Sequence, residues 1–388
     1  MPTLDDYLNE ETRRKAFPVV TREAYFGHAG VGPICGAGVD AMNEFNAQAS
    51  RGSQENPWVW EQVAAARNGA AALLGCSSGE ISLLGPTSLG LSMVALGIDW
   101  KPGDEVVFHA DDYPANVYPW RDLERKGVKP VAIRPETPGA LTWELVEAAL
   151  TERTRLVSLA SCHYLTGYRI DIDGIGRRLR ERGILFCLDA IQTIGAFRTS
   201  TEHVDFLSAD SHKWMLGPAG AGIFFVRESV REQFRPPLLG SWNVTSPEFV
   251  AQETLAFESG GRRYEPGILN FPGICGMAAA LTLLTEVGID AIEGRLRHLR
   301  AVIAGGLAER GFVEASPGMP AEAQCAIVTV SHPTRDVPAL GKAMHASGIY
   351  ISLRRDREDN AFIRFSPHFY NTEEEINHAF AVMDHAEA

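Results

Sequence analysis

Two segments of the chain contain residues whose types and spacing could support catalysis. Lys213 lies within Ser208–Pro218, after a histidine and before a tryptophan and a Gly-Pro turn, and Asp189 ends the apolar run 184–189. An acid at a strand end followed by a lysine on a loop is what pyridoxal phosphate requires. The lysine forms the Schiff base, and the acid keeps the pyridine nitrogen protonated so that the ring accepts electrons. A surface lysine and an ordinary strand-end aspartate would have the same spacing.

The elements that must position these residues alternate between strand and helix from about residue 80 to 226. This alternation predicts a mostly parallel sheet with helices on both faces, in which ligands bind at the carboxyl ends of the strands. The candidate side chains that follow predicted strands are Tyr113, His163, Asp189 and Lys213. Taken singly, Tyr113 could cover a hydrophobic seam, and His163 could be a loop histidine satisfied by its neighbours.

Two further segments are candidates for contact with a ligand. Thr87 and Ser88 follow a Gly-Pro turn and open a predicted helix, whose free backbone N–H groups and hydroxyls could bind an anion. A simple N-cap is the more common use of such residues. Tyr25–Ile34 contains three glycines and predicts a loop, either a plain connector or one that approaches a ligand closely.

Composition excludes several classes of function. The 388 residues are 45% hydrophobic with a net charge of −13, so we expect two globular domains without the basic surface that sequence-independent nucleic-acid binding requires. Neither a signal peptide nor a bilayer-spanning run is apparent, and we expect a cytoplasmic protein without membrane contact. The six cysteines are far apart with no CxxC pair, so buried free thiols and no metal are expected. No GxGxxG follows a strand, so no nicotinamide site is predicted.

Several segments resemble motifs of the class V aminotransferases. This fold-type I pyridoxal phosphate family includes cysteine desulfurases, selenocysteine lyases and isopenicillin N epimerase-like proteins. The segments are Leu188–Gln192, Ser211–Pro218 and Ile363–Thr372, and Asp112–Trp120 is similar to the family's cofactor-stacking loop. The resemblance covers about residues 20–385. It implies an α/β fold, in which a large domain with a mostly parallel, seven-stranded-type sheet is joined to a smaller C-terminal α+β domain.

The resemblance also implies a domain division and a partner. Residues 1–20 would be an N-terminal arm that packs on the small domain, 21–272 the large cofactor-binding domain and 273–388 the small domain. A homodimer with a shared active site is expected. Many relatives reach the neighbouring subunit's phosphate with a threonine at a position where this chain has Ile268, so Asn270 or a water would have to substitute.

For the ring of the cofactor, the resemblance implies five residues. Lys213 would form the Schiff base and later move protons, and Asp189 would pair with the pyridine nitrogen. Gln192 would approach the phenolic oxygen. Tyr113 would stack on the ring where many relatives use histidine, and His163 would stand where several relatives place an asparagine facing the phenolic oxygen.

For the phosphate and the substrate, the resemblance implies four more residues. Thr87 and Ser88 would hold the phosphate, joined by His212. Arg364 resembles the arginine that binds the substrate carboxylate in a bidentate fork. From the residues alone, Arg364 could equally be a strand residue paired with one of the glutamates that follow it.

One departure from the family bears on the reaction. Desulfurases carry a nucleophilic cysteine shortly before the carboxylate-binding arginine, and Ser352–Ala361 contains none. We therefore expect a β-eliminating carbon–sulfur lyase acting on a small amino acid, with an aminotransferase or an amino acid epimerase as alternatives. Rivals from other classes are a non-catalytic interaction module and a nucleotide-binding protein. The retained Lys213, Asp189 and His212 speak against the first, and the lack of a Walker motif against the second.

Overall fold

A computed structural model describes residues 3–386 and shows a large and a small sheet, each covered by helices. Met1 and Pro2 of the predicted arm, and Glu387 and Ala388 of the predicted small domain, lie outside the described residues. The strands are β1 (Ala24–Tyr25), β2 (Ile81–Leu84), β3 (Glu105–His109), β4 (Lys129–Ile133), β5 (Thr154–Ala160), β6 (Leu185–Asp189), β7 (Phe206–Asp210), β8 (Gly222–Val226), β9 (Val313–Glu314), β10 (Val328–Ser331), β11 (Ile349–Tyr350), β12 (Ser352–Arg355) and β13 (Ala361–Phe365). The α-helices are α1 (Leu4–Leu8), α2 (Glu10–Ala16), α3 (Gly36–Ala49), α4 (Pro57–Leu74), α5 (Thr87–Gly97), α6 (Tyr118–Arg121), α7 (Trp143–Ala149), α8 (Ile172–Glu181), α9 (Phe271–Val287), α10 (Ile289–Glu309), α11 (Val337–Ala346) and α12 (Glu373–His385).

The large sheet has seven strands, and only β8 runs against its neighbours. Their order is β2-β8-β7-β6-β5-β3-β4. Strands β3, β7 and β8 are buried along their whole length, as expected for a sheet with helices on both faces. The predicted α/β fold with a mostly parallel seven-stranded sheet is confirmed. Its parallel strands bring their carboxyl ends to one edge.

The small sheet has four antiparallel strands in the order β12-β13-β10-β9. Strand β1 pairs in parallel with β11, which ties the start of the chain to this half of the molecule. In helix α2, Arg13 donates to the carbonyl of Tyr370 (2.9 Å) and forms an ion pair with Glu375. The predicted arm therefore contacts the segment that leads into α12, while the domain boundaries themselves stay predictions.

Packing favours a later boundary than the predicted one at residue 273. Helix α9 packs against α3 and α4, and its buried residues belong to the core beneath the large sheet. In α10, Leu296 still belongs to that core, whereas Leu299 belongs to the core of the small sheet. An apolar helix in a sequence does not reveal which sheet it covers, so the sequence alone could not relate the boundary to the packing of α9, and the boundary stays a prediction.

No single helix within residues 3–386 is long and apolar enough to cross a bilayer. Helices α9 and α10 meet the length and composition criterion only when they are taken together, and the chain bends by 81° between them. The predicted cytoplasmic location is not tested by these features and stays a prediction.

Helix α5 lies against β7 and β8 at a point where only a glycine fits. A Cβ atom on Gly90 would lie 2.4 Å from the Ser208 hydroxyl oxygen and 3.0 Å from a ring carbon of Phe224. This close approach lets the Thr87 hydroxyl accept a hydrogen bond from the backbone N–H of Asp210 (2.9 Å), while Ser208 donates to the Thr87 carbonyl (3.0 Å). The N-terminus of α5 is thereby fixed next to the segment that carries Lys213.

We expect Gly90→Ala to lower the free energy of unfolding by about 1–3 kcal/mol, because the added methyl group overpacks the contact with Ser208. The control is Gly305→Ala in α10, where a Cβ would meet nothing within 4 Å. It should raise stability by about 0.4–1 kcal/mol, because alanine restricts the unfolded chain. Urea unfolding of both variants measures the difference. Equal effects of the two substitutions would contradict the packing argument.

Candidate active site

Lys213 and Asp189 are buried at the carboxyl edge of the large sheet, close enough for each charge to act on the other. Burial raises the pKa of Asp189 to about 7, and the nearby Asp112 adds to the rise, while the N–H of Ile191 and the charge of Lys213 oppose it. Burial lowers the pKa of Lys213 to about 8, against the attraction of Asp189. Both side chains are therefore held closer to their neutral forms than in water.

Tyr113 forms an open wall beside the lysine, since its ring centroid lies 5.6 Å from Lys213 Nζ and half of the side chain is exposed. The loop that carries it is anchored by Asp112, which accepts hydrogen bonds from the Tyr113 backbone N–H (2.7 Å) and from the Asn116 amide (2.9 Å). Asn116 in turn accepts from the Trp120 indole (2.9 Å). A tyrosine face held in this way can lie against a flat ligand.

The N-terminus of α5 fits an anion. Its N-cap residue is Pro86, which offers no side-chain oxygen, so no side chain caps the first turn, although the Leu89 N–H donates to the Pro86 carbonyl (2.8 Å). Ser88 is exposed there, whereas the Thr87 hydroxyl is already engaged by the Asp210 N–H. His212 Nδ1 lies 3.1 Å from an Asp210 carboxylate oxygen. Two of the three predicted phosphate residues, Thr87 and His212, thus contact Asp210, with the hydroxyl of Thr87 used inside the protein.

Gln192 and the glycine-rich loop, Tyr25–Ile34, contact the lysine segment, Ser208–Pro218. The Gln192 amide donates to the carbonyl of Ala29 (3.1 Å) and accepts from the Trp214 indole (2.8 Å), which leaves one amide N–H for a ligand. The backbone N–H of Gly32 donates to the His212 carbonyl (2.6 Å), and a Cβ at Gly32 would lie 2.8 Å from the Lys213 carbonyl oxygen. The glycine-rich loop therefore packs on the lysine segment and is not a plain connector.

Arg364 is a buried guanidinium without an acidic partner among residues 3–386. Its Nη1 donates to the Tyr164 carbonyl, and its Nε and Nη2 have no hydrogen-bond partner. Of the three glutamates that follow it, Glu375 pairs with Arg13 and Glu373 with His298, while Glu374 is exposed. Burial lowers the pKa of Arg364 to about 9. A buried cation with free N–H groups is costly unless an anion meets it, which suits a carboxylate ligand.

His163 is not among the side chains that meet at Lys213. Its Nε2 donates to the carbonyl of Asp111 (3.0 Å), and its Nδ1 is bonded to the Thr166 hydroxyl (3.0 Å). Both ring nitrogens are therefore occupied inside the loop. This bonding weakens the expectation that His163 faces the cofactor, which stays a prediction, because both ring nitrogens already have partners within the protein.

Tyr164 contacts Tyr113 and Arg364, two of the predicted site residues. Its ring centroid lies 5.5 Å from that of Tyr113, and its carbonyl accepts from Arg364. Burial raises the pKa of Tyr164, and Asp112 adds to the rise. The sequence did not single out this tyrosine, and the only signal was an aromatic residue shortly after a buried strand.

The Asn270 side chain is hydrogen-bonded within its own chain. It caps α9 by accepting from the Gly273 N–H (3.3 Å) and donates to the Gly220 carbonyl (3.1 Å). Ile268, two residues earlier, is 64% exposed. The amide of Asn270 is thus engaged within its own chain, which weakens the expectation that it replaces the family's phosphate-binding threonine.

A separate surface cleft of about 870 Å³ lies between α8, α10 and the loop around residue 322, and contains none of the predicted site residues. Its charged side chains pair with one another, as in Arg198 with Asp290 (2.6 Å) and Arg297 with Glu293 (2.7 Å). Volume alone would suggest that this cleft is the active site. The groups with shifted pKa values, Lys213, Asp189 and Arg364, lie elsewhere, and such groups are the better indicator of a functional site.

A parallel sheet with a buried lysine and acid at its carboxyl edge defines the class: the chain is a fold-type I pyridoxal phosphate-dependent enzyme. It belongs to the aminotransferase class-V family, whose profile matches residues 24–378. Its cofactor is therefore pyridoxal phosphate.

Relatives by sequence and by structure agree with this family. A probable cysteine desulfurase from Pyrococcus abyssi is 26% identical over 392 residues, which cover 96% of both chains. The uncharacterized aminotransferase YcbU of Bacillus subtilis is 28% identical over 324 residues, which cover 82% of both chains. The apo structure of a cysteine desulfurase from Thermococcus onnurineus NA1 has a TM-score of 0.88 and 24% identity, with 97% of both chains covered. A cystine C–S lyase solved with cysteine persulfide has a TM-score of 0.85 and 20% identity, covering 96% of this chain and all of that one.

We expect Asp189→Asn to stabilise the cofactor-free chain at about pH 8 and to have less effect at about pH 5. Because folding raises the pKa of Asp189 to about 7, the folded chain keeps a proton that the unfolded chain releases above about pH 4. The aspartate therefore lowers the free energy of unfolding progressively up to about pH 7. Removing it should gain about 1–3 kcal/mol in urea unfolding at the higher pH.

The control for this experiment is Asp40→Asn, an exposed position on α3. It should change stability by less than about 0.5 kcal/mol at either pH. A gain from Asp189→Asn that is the same at both pH values would contradict the raised pKa.

Proposed function

We propose that the chain is a β-eliminating carbon–sulfur lyase that acts on a small amino acid, with Lys213 as the Schiff-base lysine. The observation that carries this proposal is the hairpin before Arg364, which contains no thiol. Strands β12 and β13 pair from Ser352 opposite Arg364 to Arg355 opposite Ala361. This is the segment in which the family resemblance implies the nucleophilic cysteine of a desulfurase.

The tip of this hairpin is also fastened to the large sheet's loops. The Arg357 guanidinium lies 2.5 Å from an Asp111 carboxylate oxygen and donates to the Ala110 carbonyl (3.3 Å). A mobile loop that delivers a nucleophile to the substrate would need to leave such contacts. The hairpin therefore suits substrate binding better than sulfur transfer.

The remaining thiols do not replace the missing cysteine. Of the six free cysteines, five are buried, and only Cys76 is partly exposed. Cys76 lines a different surface cleft with Glu80 and Arg227. Burial raises the pKa of Cys76 to about 12, so it is almost fully protonated at neutral pH and a poor nucleophile. Elimination needs no protein thiol, whereas formation of a protein persulfide does.

In the proposed mechanism, the chain's residues bind the substrate and move one proton. Arg364 binds the α-carboxylate through its unpaired Nε and Nη2, which turns Cα towards Lys213. Bound pyridoxal phosphate supplies an electron sink for the charge left at Cα. The Nζ of Lys213 takes the Cα proton, and its lowered pKa leaves part of the amine neutral and able to do so. Asp189 holds the proton of the pyridine nitrogen at the buried end of the site.

Elimination then breaks the Cα–H and Cβ–S bonds. The sulfur leaves as a thiolate and is protonated, and the unsaturated amino acid hydrolyses to pyruvate and ammonia. An aminotransferase or an epimerase would share the binding and the proton abstraction and differ in where Lys213 returns the proton. The solved relative described as a cystine C–S lyase supports the elimination. A non-catalytic interaction module is set aside, because the family is one of enzymes.

The Schiff base is tested with Lys213→Ala. The wild-type chain with pyridoxal phosphate should absorb visible light, lose that band on borohydride treatment and retain the cofactor's mass covalently. Lys213→Ala should retain no such mass, because the attached amine is gone. Lys342→Ala, at an exposed position on α11, should behave like the wild type. Cofactor trapping that is undiminished in Lys213→Ala would overturn the assignment.

The reaction is tested by incubation with cystine, cysteine and alanine. We expect pyruvate and a sulfur product from the sulfur-containing substrates and no persulfide on the protein. Cys76→Ser should keep the rate within about twofold, because no thiol takes part. Accumulation of the pyridoxamine form without pyruvate would instead indicate an aminotransferase, and a protein-bound persulfide would indicate a desulfurase.

We further propose the homodimer with a shared active site that the family implies. Large apolar side chains are exposed, including Tyr118 at the start of α6 (68%) and Ile268 in a loop (64%), and a partner would cover such residues. Light scattering of the purified protein should give twice the mass of one chain.

A further inference from the structure

We propose that the substrate carries a second acidic group on its side chain and that Arg354 binds this group. The inference rests on the proposed function only in taking Arg364 as the site of the α-carboxylate. Under the proposed elimination, the substrate class would be an α-amino acid with sulfur bonded to Cβ, whose side chain carries a second carboxylate beyond that sulfur.

The register of the hairpin directs both arginines to one face. Ser352 lies opposite Arg364, and Arg354 lies opposite Phe362. Residues two apart on a strand share a face, and directly opposed residues share it too. Arg354 is thus the diagonal neighbour of Arg364, with backbones about 7–8 Å apart and long side chains that can converge on one ligand.

The hairpin's arginines divide into two kinds. Arg355 and Arg357 have acidic partners, Asp359 at 3.0 Å and Asp111 at 2.5 Å. Arg354 and Arg364 have none among residues 3–386. The pair on the ligand-facing side is therefore the pair left without counter-charge.

Arg354 lies at the site rather than in open solvent. It is partly buried, and its Nη1 donates to the Leu353 carbonyl (3.1 Å). Its Nη2 lies 3.4 Å from the point where a Cβ on Gly30 would stand. Gly30 belongs to the glycine-rich loop that packs on the lysine segment, so the absence of a side chain there leaves Arg354 room beside Lys213. The positive charge of Arg354 lowers the pKa of both Lys213 and Arg364.

The charges decide between substrate classes. Arg354 and Arg364 together leave two positive charges without an acidic partner among residues 3–386. An amino acid with an uncharged side chain offers one carboxylate, for Arg364, and leaves Arg354 without a counter-charge. A substrate whose side chain has its own anionic group can pair with both arginines, and charge-assisted hydrogen bonds are stronger than neutral ones.

The test compares succinate with propionate by calorimetric titration of the holoenzyme. We expect succinate to bind at least about tenfold more tightly, because it can meet both arginines. Arg354→Gln should lower the succinate affinity by about tenfold and leave the propionate affinity within about twofold. Arg354→Lys should retain part of the preference, since it keeps the charge but not the fork. Neither ligand has an amino group, so the result does not depend on Lys213 or on the lyase reaction.

Arg355→Gln is the matched control, one residue along the same strand and on its other face. It should leave both affinities unchanged, and Arg364→Gln should weaken both ligands. Equal binding of succinate and propionate by the wild type would overturn the proposal, as would equal effects of Arg354→Gln and Arg355→Gln. Failure of the elimination assay with an intact succinate preference would count against the proposed reaction and not against the anion site.

Discussion

The burial of a lysine and an aspartate at one sheet edge is the constraint on which the rest of the site depends. Burying either charge alone is strongly unfavourable, and mutual attraction offsets only part of that cost. The pKa values of Lys213 and Asp189 accordingly move towards each other. A group that becomes cationic between them, such as a protonated pyridine, relieves the acid. The apo arrangement is therefore poised for a ligand rather than optimised for stability.

The segment after the small sheet's β13 contacts the carboxyl edge of the large sheet through Trp214, the residue that follows Lys213. The Trp214 indole donates to Gln192, and its carbonyl accepts from His368 Nε2 (2.9 Å). Burial lowers the pKa of His368 to about 4, so the ring is neutral and donates from one nitrogen only. His28 lies against the same cluster and bonds the Tyr370 hydroxyl (2.8 Å). The Ser-Pro-His segment after β13 thus acts as a support that links the second sheet to the lysine.

Sequence reasoning reached the residues whose positions follow from sheet geometry. Asp189 is the last residue of β6 and Tyr113 lies on the loop after β3, and the carboxyl ends of parallel strands meet at one edge of the sheet. The contacts of His163 and Tyr164 could not be predicted, because a loop has no period from which the direction of a side chain can be read. The packing of α9 against α3 and α4 could not be predicted either, since apolar surface does not say what will cover it. The lack of an acidic partner for Arg364 is a tertiary fact, because pairing depends on segments distant in the chain.

Cofactor and substrate are governed by different parts of the fold. The large sheet brings Lys213, Asp189 and the N-terminus of α5 together, the groups that we propose to bind the cofactor whatever the substrate is. The β12–β13 hairpin supplies the arginines and lacks the thiol, so changes there can alter specificity and reaction outcome without disturbing the cofactor. Residues on one face of a short hairpin can be substituted while the backbone hydrogen bonds between its strands remain. A family that shares the cofactor edge can therefore differ in chemistry through about ten residues that precede its carboxylate-binding arginine.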